Sequence, residues 1–173
     1  MRPIKETIIH CSATRPEWMA GATVDAKVSE IRRWHKSKTP PWSDIGYHFV
    51  IDRNGFVAKG RPITRTGAHV KGRNSGTIGV CLIGGHGSAE TDEFSEHFTP
   101  MQDKALRALI ADLQSKYGPL HVSGHNQYAA KACPGFGVPE WIVQQPVAAP
   151  EPTPQTFASI IRKFFALLFK RKG

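Results

Sequence analysis

Apolar positions fall into two kinds of pattern along this chain, continuous short runs and runs spaced by three or four. Thr7-Ile8-Ile9-His10-Cys11 opens the first kind, and Lys5 to Cys11 reads as a strand. Val28, Ile31, Trp34 and His35 then recur at helical spacing, which predicts a helix near residues 25–38, stopped by Pro40-Pro41. Tyr47 to Asp52 reads as a second strand, Arg53-Asn54-Gly55 as a hairpin turn and Phe56 to Ala58 as the return strand. Residues 61–76 mix glycine with basic residues in no period and predict an irregular loop. Ile78 to Ile83 is unbroken by charge and reads as a buried strand, followed by an acidic, polar excursion to Phe98.

The clearest helix signal starts at Thr99, an N-cap followed by Pro100 at the first helical position and Gln102 where a capping box places Glu or Gln. Leu106, Leu109, Ile110 and Leu113 form its buried stripe, and Gly118-Pro119 ends it. Leu120 to Gly124 predicts a short strand and Pro139 to Val143 a single helical turn. The order β-α-β-β-β-α-β implies an α/β fold, a mixed central sheet flanked by helices, within one domain of residues 1–143.

Beyond it the composition changes. Residues 144–156 carry prolines at 146, 150, 152 and 154, a spacer that favours extended polyproline geometry. Residues 157–173 follow helical amphipathic spacing, with Phe157, Ile160, Ile161, Phe164, Phe165, Leu167, Leu168 and Phe169 on one broad side. The formal net charge is +9, of which Arg162, Lys163, Lys170, Arg171 and Lys172 supply +5 without an opposing acid in that segment. About 15 helical residues reach only ~22 Å, against a hydrocarbon core of ~30 Å. Such a segment is expected to lie in the surface of an anionic membrane, the alternative being that its apolar side docks on the folded body or pairs with another chain. The amino terminus lacks a signal-peptide pattern, so synthesis in the cytosol is the expectation. An odd number of cysteines, three, gives no disulfide framework.

Chemistry concentrates in His125-Asn126-Gln127-Tyr128-Ala129-Ala130-Lys131-Ala132-Cys133. A histidine and a thiol eight residues apart can share a zinc ion if the loop between them folds back, and His10 is the candidate third ligand. Three protein ligands leave one position open for water, the pattern of a catalytic rather than a structural zinc. Water at such a site loses a proton near neutral pH while the metal polarises the carbonyl under attack. Lys131 could steady a developing oxyanion, and Tyr47, following the flexible Gly46, could bring a phenol to the same centre.

Four blocks, Ile8-Ile9-His10-Cys11-Ser12-Ala13-Thr14, Gly46-Tyr47-His48-Phe49, Gly79 to Gly85 and Lys131-Ala132-Cys133-Pro134, stand in the order found in zinc N-acetylmuramoyl-L-alanine amidases of the phage lysozyme type. The chain resembles that family over residues 4–141, and more distantly the peptidoglycan recognition proteins. The resemblance implies one zinc ion held by His10, His125 and Cys133, with Tyr47 and Lys131 as catalytic partners and His69 as a substrate-contacting residue. It also implies bacterial peptidoglycan as partner, with hydrolysis of the amide between N-acetylmuramic acid and L-alanine, action on the cell wall and host lysis. Asn126 stands where the T7 lysozyme group has Glu, so no carboxylate base is expected from this loop. The competing readings are a non-catalytic wall-binding module and a membrane-active protein with a passive carrier domain. Nucleic-acid binding is not expected, because no recognition motif accompanies the positive charge.

Overall fold

The computed structural model describes residues 2–146. Five strands form one mixed sheet: β1 (Glu6–Cys11), β2 (Phe49–Ile51), β3 (Val57–Lys59), β4 (Thr77–Leu82) and β5 (His121–Gly124). Their order across the sheet is β3-β2-β4-β1-β5, with β1 parallel to both β4 and β5, β2 parallel to β4, and only β3 antiparallel. The helices are α1 (Val24–Lys36), α2 (Phe94–His97), α3 (Pro100–Tyr117) and α4 (Val138–Val143). The mixed α/β architecture follows the sequence pattern, and β1 and β4 are unbroken apolar runs because every residue in them is buried.

Alternation along the strands divides the core in two. Val80 and Leu82 join Ile9, Ile51 and the α3 stripe of Leu106, Ile110 and Leu113. Cys81 and Ile83 face the other way and pack with Val50 against Val28 and Ile31 of α1. The cap of α3 forms as its sequence predicts: Thr99 accepts from the Gln102 amide at 3.1 Å and the Gln102 side chain returns the bond. Gln102 then donates its amide to the carbonyls of Ile83 and Ile51, so the capping residue also ties α3 to two strands.

The strand expected over residues 47–52 is regular only at Phe49–Ile51. Tyr47 and His48 remain bonded by their backbones, but to the irregular segment after β3, through Arg61 and Gly60. That segment is fastened rather than loose. The buried Arg61 donates to the carbonyls of Ile45, Thr66 and Asp44, and Asn74 Oδ1 accepts from the amides of His69 and Val70. Asn74 therefore shapes the loop. The spacer from Val147 onward and the 157–173 tail lie outside the described residues.

One buried ion pair links the layers: Lys27 Nζ of α1 lies 2.7 Å from Asp52 Oδ1, at the end of β2, with both side chains under a tenth exposed. Removing one member leaves an uncompensated charge in the interior, so Lys27→Met is expected to lower unfolding free energy by about 3–5 kcal/mol in urea titrations. A loss within 1 kcal/mol would show that Asp52 finds water instead.

Candidate metal centre

Three elements end at one point. β1 delivers His10 from its last turn of pairing, where it is 1 % exposed. β5 runs beside β1 and ends directly before the 3-10 turn His125–Gln127, which puts His125 level with His10. The Gln127 side chain accepts from the Gly124 amide at 2.7 Å and fixes that turn. The loop then folds back, as the spacing of His125 and Cys133 requires, because the Asn126 amide donates to the Cys133 carbonyl at 2.7 Å.

The outcome is one cluster. Donor atoms of His10, His125 and Cys133 all lie within 4.8 Å of one another. His10 Nδ1 is 3.7 Å from Cys133 Sγ, and the rings of His10 and His125 are 4.7 Å apart. Two ligands on a tetrahedral zinc, one nitrogen and one sulfur, should be separated by roughly 3.5 Å. The His10–Cys133 separation therefore suits a shared ion with little movement. Among the described residues this is the group able to hold a metal.

The surroundings prepare the same three atoms. His10 Nε2 lies 3.0 Å from His69 Nδ1, which leaves Nδ1 of His10 turned toward Cys133. A second ring nitrogen held this way is the usual support of a metal-binding histidine. Burial, then the neighbouring His69 and His125, lowers the pKa of His10 well below its ordinary value. Burial, with Lys131 adding to it, lowers that of His125. Both rings are thus neutral at physiological pH and keep a lone pair for a cation. The Cys133 thiol is pushed up by its hydrogen bond with Cys11 and then by burial. It would ionise in company with a cation, so metal uptake at this centre releases a proton. The Cys11 amide already points at the sulfur, at 3.3 Å.

Tyr47 is half-buried, with its ring 5.1 Å from that of His10. Burial first, and then the nearby thiols, holds its phenol well above the usual range, so the hydroxyl keeps its proton and serves as a donor. Lys131 is exposed on the loop between the two loop ligands. Its charge adds to burial in lowering the pKa of Lys38, whose Nζ sits 3.8 Å above the Trp42 ring.

His69 departs from the expected substrate contact. It is 8 % exposed, and its two nitrogens face His10 and, at 3.3 Å, Thr77 Oγ1. Burial and the neighbouring His48 push its pKa down to about 3, which keeps the ring neutral. Gly79 was the sequence signal for this placement: a Cβ there would fall 2.6 Å from the His69 ring, so only glycine lets the ring pack against β4. Sequence reasoning also passed over His35, whose Nδ1 accepts from the Gly46 amide at 3.0 Å and whose ring lies 5.4 Å from Tyr47. A lone histidine on the inner face of a helix carries no mark of that role. The Cys11 side chain is buried, while its backbone amide bonds the sulfur of the candidate ligand Cys133.

The family model described as N-acetylmuramoyl-L-alanine amidase, Amidase_2, matches residues 1–136. The endolysin of Klebsiella phage KP32 is 43 % identical over 136 residues, spanning 79 % of this chain and 83 % of that protein. The endolysin of Escherichia phage T7 is 43 % identical over 133 residues, spanning 77 % and 82 %. Among solved structures, the N-acetylmuramoyl-L-alanine amidase LysC from Clostridium intestinale aligns with a TM-score of 0.63 and 26 % identity, over 81 % of this chain and 83 % of that one.

Proposed function

This chain belongs to the N-acetylmuramoyl-L-alanine amidase family, and we propose from that premise that it is a zinc-dependent phage endolysin. The reaction is hydrolysis of the amide between the lactyl group of N-acetylmuramic acid and L-alanine. The observation that carries the proposal is the convergence of His10, His125 and Cys133 within 4.8 Å.

Those three side chains would hold the ion. When bound, zinc supplies a Lewis acid that polarises a carbonyl and acidifies water. The remaining work falls to the chain itself. His69 fixes the His10 ring through the 3.0 Å contact, so Nδ1 cannot swing away from the centre. Tyr47 offers a protonated hydroxyl from beside His10, suited to donate a hydrogen bond to the carbonyl oxygen of the scissile amide. Lys131 brings an ammonium to the open side of the loop, where charge develops on that oxygen during attack. The two donors favour the tetrahedral species over the planar amide, which is the condition for acceleration.

In this reading His69 is a positioning residue. His69→Ala is expected to weaken zinc affinity about 10–100-fold in chelator competition while the fold persists, with His69→Gln recovering part of the loss. Unchanged zinc affinity in His69→Ala would return the residue to a substrate-facing role.

Residues 1–143 form the catalytic domain in this proposal, 144–156 the spacer and 157–173 a cationic segment for an anionic membrane or lipopolysaccharide. The protein would be made in the host cytoplasm and act on the wall. Among the described residues no helix is long and apolar enough to cross a membrane. The functional test is incubation with purified sacculi followed by mass spectrometry of the products. Free amino termini on L-alanine, lost with EDTA and restored by Zn²⁺, are the expected result; intact lactyl amides would refute the proposal.

A further inference from the structure

Away from the metal centre, α2 and α4 enclose a groove of about 290 Å³ between residues 90–94 and 136–144. Its floor is aromatic. Phe94 stacks on Trp141 with ring centroids 5.7 Å apart, and Phe136 meets Phe94 edge-on at 5.0 Å. Its rim is acidic: Glu90, Asp92, Glu93 and Glu140. Asp92 is engaged by His97 at 2.7 Å. Glu90, Glu93 and Glu140 are exposed and, among the described residues, form no salt bridge. Those rings are themselves only 1–3 % exposed, so the groove offers a narrow apolar strip beneath a rim of acids, which suits a cationic ligand with an aromatic or aliphatic edge beside its charge.

The chain carries such a ligand. The groove's last lining residue is Gln144, where the spacer begins. Residues 157–173 present Phe164, Phe165 and Phe169 together with five basic residues and no acid. We propose that this groove is the docking site of the chain's own tail, residues 157–173, occupied when no anionic surface competes for that segment. The inference goes beyond the amidase reading and does not depend on it.

Three features support the match. The groove has room for one aromatic side chain and part of a neighbour, a fit for the Phe164-Phe165 pair rather than for a whole buried helix. Lysine and arginine stems are long enough to lie along an apolar contact and turn their charges sideways to a rim. Residues 147–156, the part of the spacer beyond the described residues, number ten, about 31 Å at ~3.1 Å per residue, which keeps the tail tethered to the groove's edge. A tether of that order holds a ligand at roughly millimolar effective concentration, so weak contacts suffice for occupancy. Docking hides the phenylalanines from solvent until an anionic surface, offering both charge and apolar depth, draws the tail away.

The test is hydrogen–deuterium exchange on the full chain, comparing wild type with Glu90→Lys/Glu140→Lys, both exposed positions outside the metal centre. Amides of residues 157–173 are expected to exchange up to about tenfold more slowly in wild type than in the double variant, the range open to two surface ion pairs. Lys170→Glu/Arg171→Glu, on the tail, should lose protection equally, and its folded body is untouched. Vesicles containing phosphatidylglycerol should be bound at lower lipid concentration by Glu90→Lys/Glu140→Lys, because its tail is already free. Equal, rapid exchange of the tail in wild type and variants would overturn the proposal. Protection that survives both charge reversals would overturn it as well, and protection that rises with protein concentration would assign the groove to the tail of a second copy instead.

Discussion

Cys133→Ser is expected to lose zinc and amidase activity together, each by more than about 100-fold. Even partners one step removed from a metal typically account for 10–100-fold in affinity, and Cys133 supplies the one sulfur of the cluster. Serine keeps the size of the side chain but offers a hydroxyl that does not ionise near neutral pH, so the centre falls to two neutral imidazoles. The loop itself should persist, because it is closed by the bond from the Asn126 amide to the carbonyl of residue 133, which the substitution leaves in place. Zinc content by mass spectrometry, run beside circular dichroism, separates the two effects. A variant that keeps stoichiometric zinc would remove Cys133 from the ligand set.

Lys131→Ala makes the second large prediction, and in the opposite combination. Zinc content should stay at wild-type level, since Lys131 is exposed and touches none of the hydrogen bonds that fix His10, His125 or Cys133. Turnover should fall about 10²–10³-fold, the usual cost of removing one oxyanion donor. The loss belongs in kcat, with KM little changed, if the ammonium meets charge that exists only in the transition state. An increase in KM with kcat intact would make Lys131 a substrate anchor, in line with its position near Lys38 on a basic rim.

The two variants divide the site by how readable it was. The candidate ligand set was named through the family resemblance, and the structure brings its members together: eight residues separate His125 from Cys133, so the fold has only to close one loop. The third, His10, was legible as a polar residue interrupting a buried strand. The sheet was legible for a similar reason, since β1 and β4 are buried on both faces and read as continuous apolar runs. What escaped were contacts made across the sheet. His69 reaches His10 over 59 positions, and nothing near either residue shows whether the ring faces solvent or β4. Asn74 and Arg61 looked like solvated loop residues, yet their side chains bond to the backbone that shapes the loop. Short strands were also misjudged: residues 47–52 have strand composition, yet the regular strand is Phe49–Ile51, with the His48 amide still reaching the Gly79 carbonyl of β4. Residue type reports what chemistry is possible, and partner choice is set by packing.

The arrangement also explains how a small domain keeps a metal centre ready. His10 is buried and braced, His125 stands on a capped turn, and the Cys133 loop is closed by the backbone bond from Asn126 to Cys133 together with the Cys11 amide at the sulfur. Two of the candidate ligands are thus held where β1 and β5 end, and the third stands on a loop that also carries Lys131. The Cys133 thiol and the Lys131 ammonium stand two residues apart on that loop.

Zinc K-edge X-ray absorption on the purified full chain tests the central claim most directly. A shell of one sulfur at about 2.3 Å with nitrogen or oxygen scatterers near 2.0–2.1 Å, including two imidazoles, is the predicted result. A protein that binds no zinc, or one whose shell holds no sulfur, would contradict it.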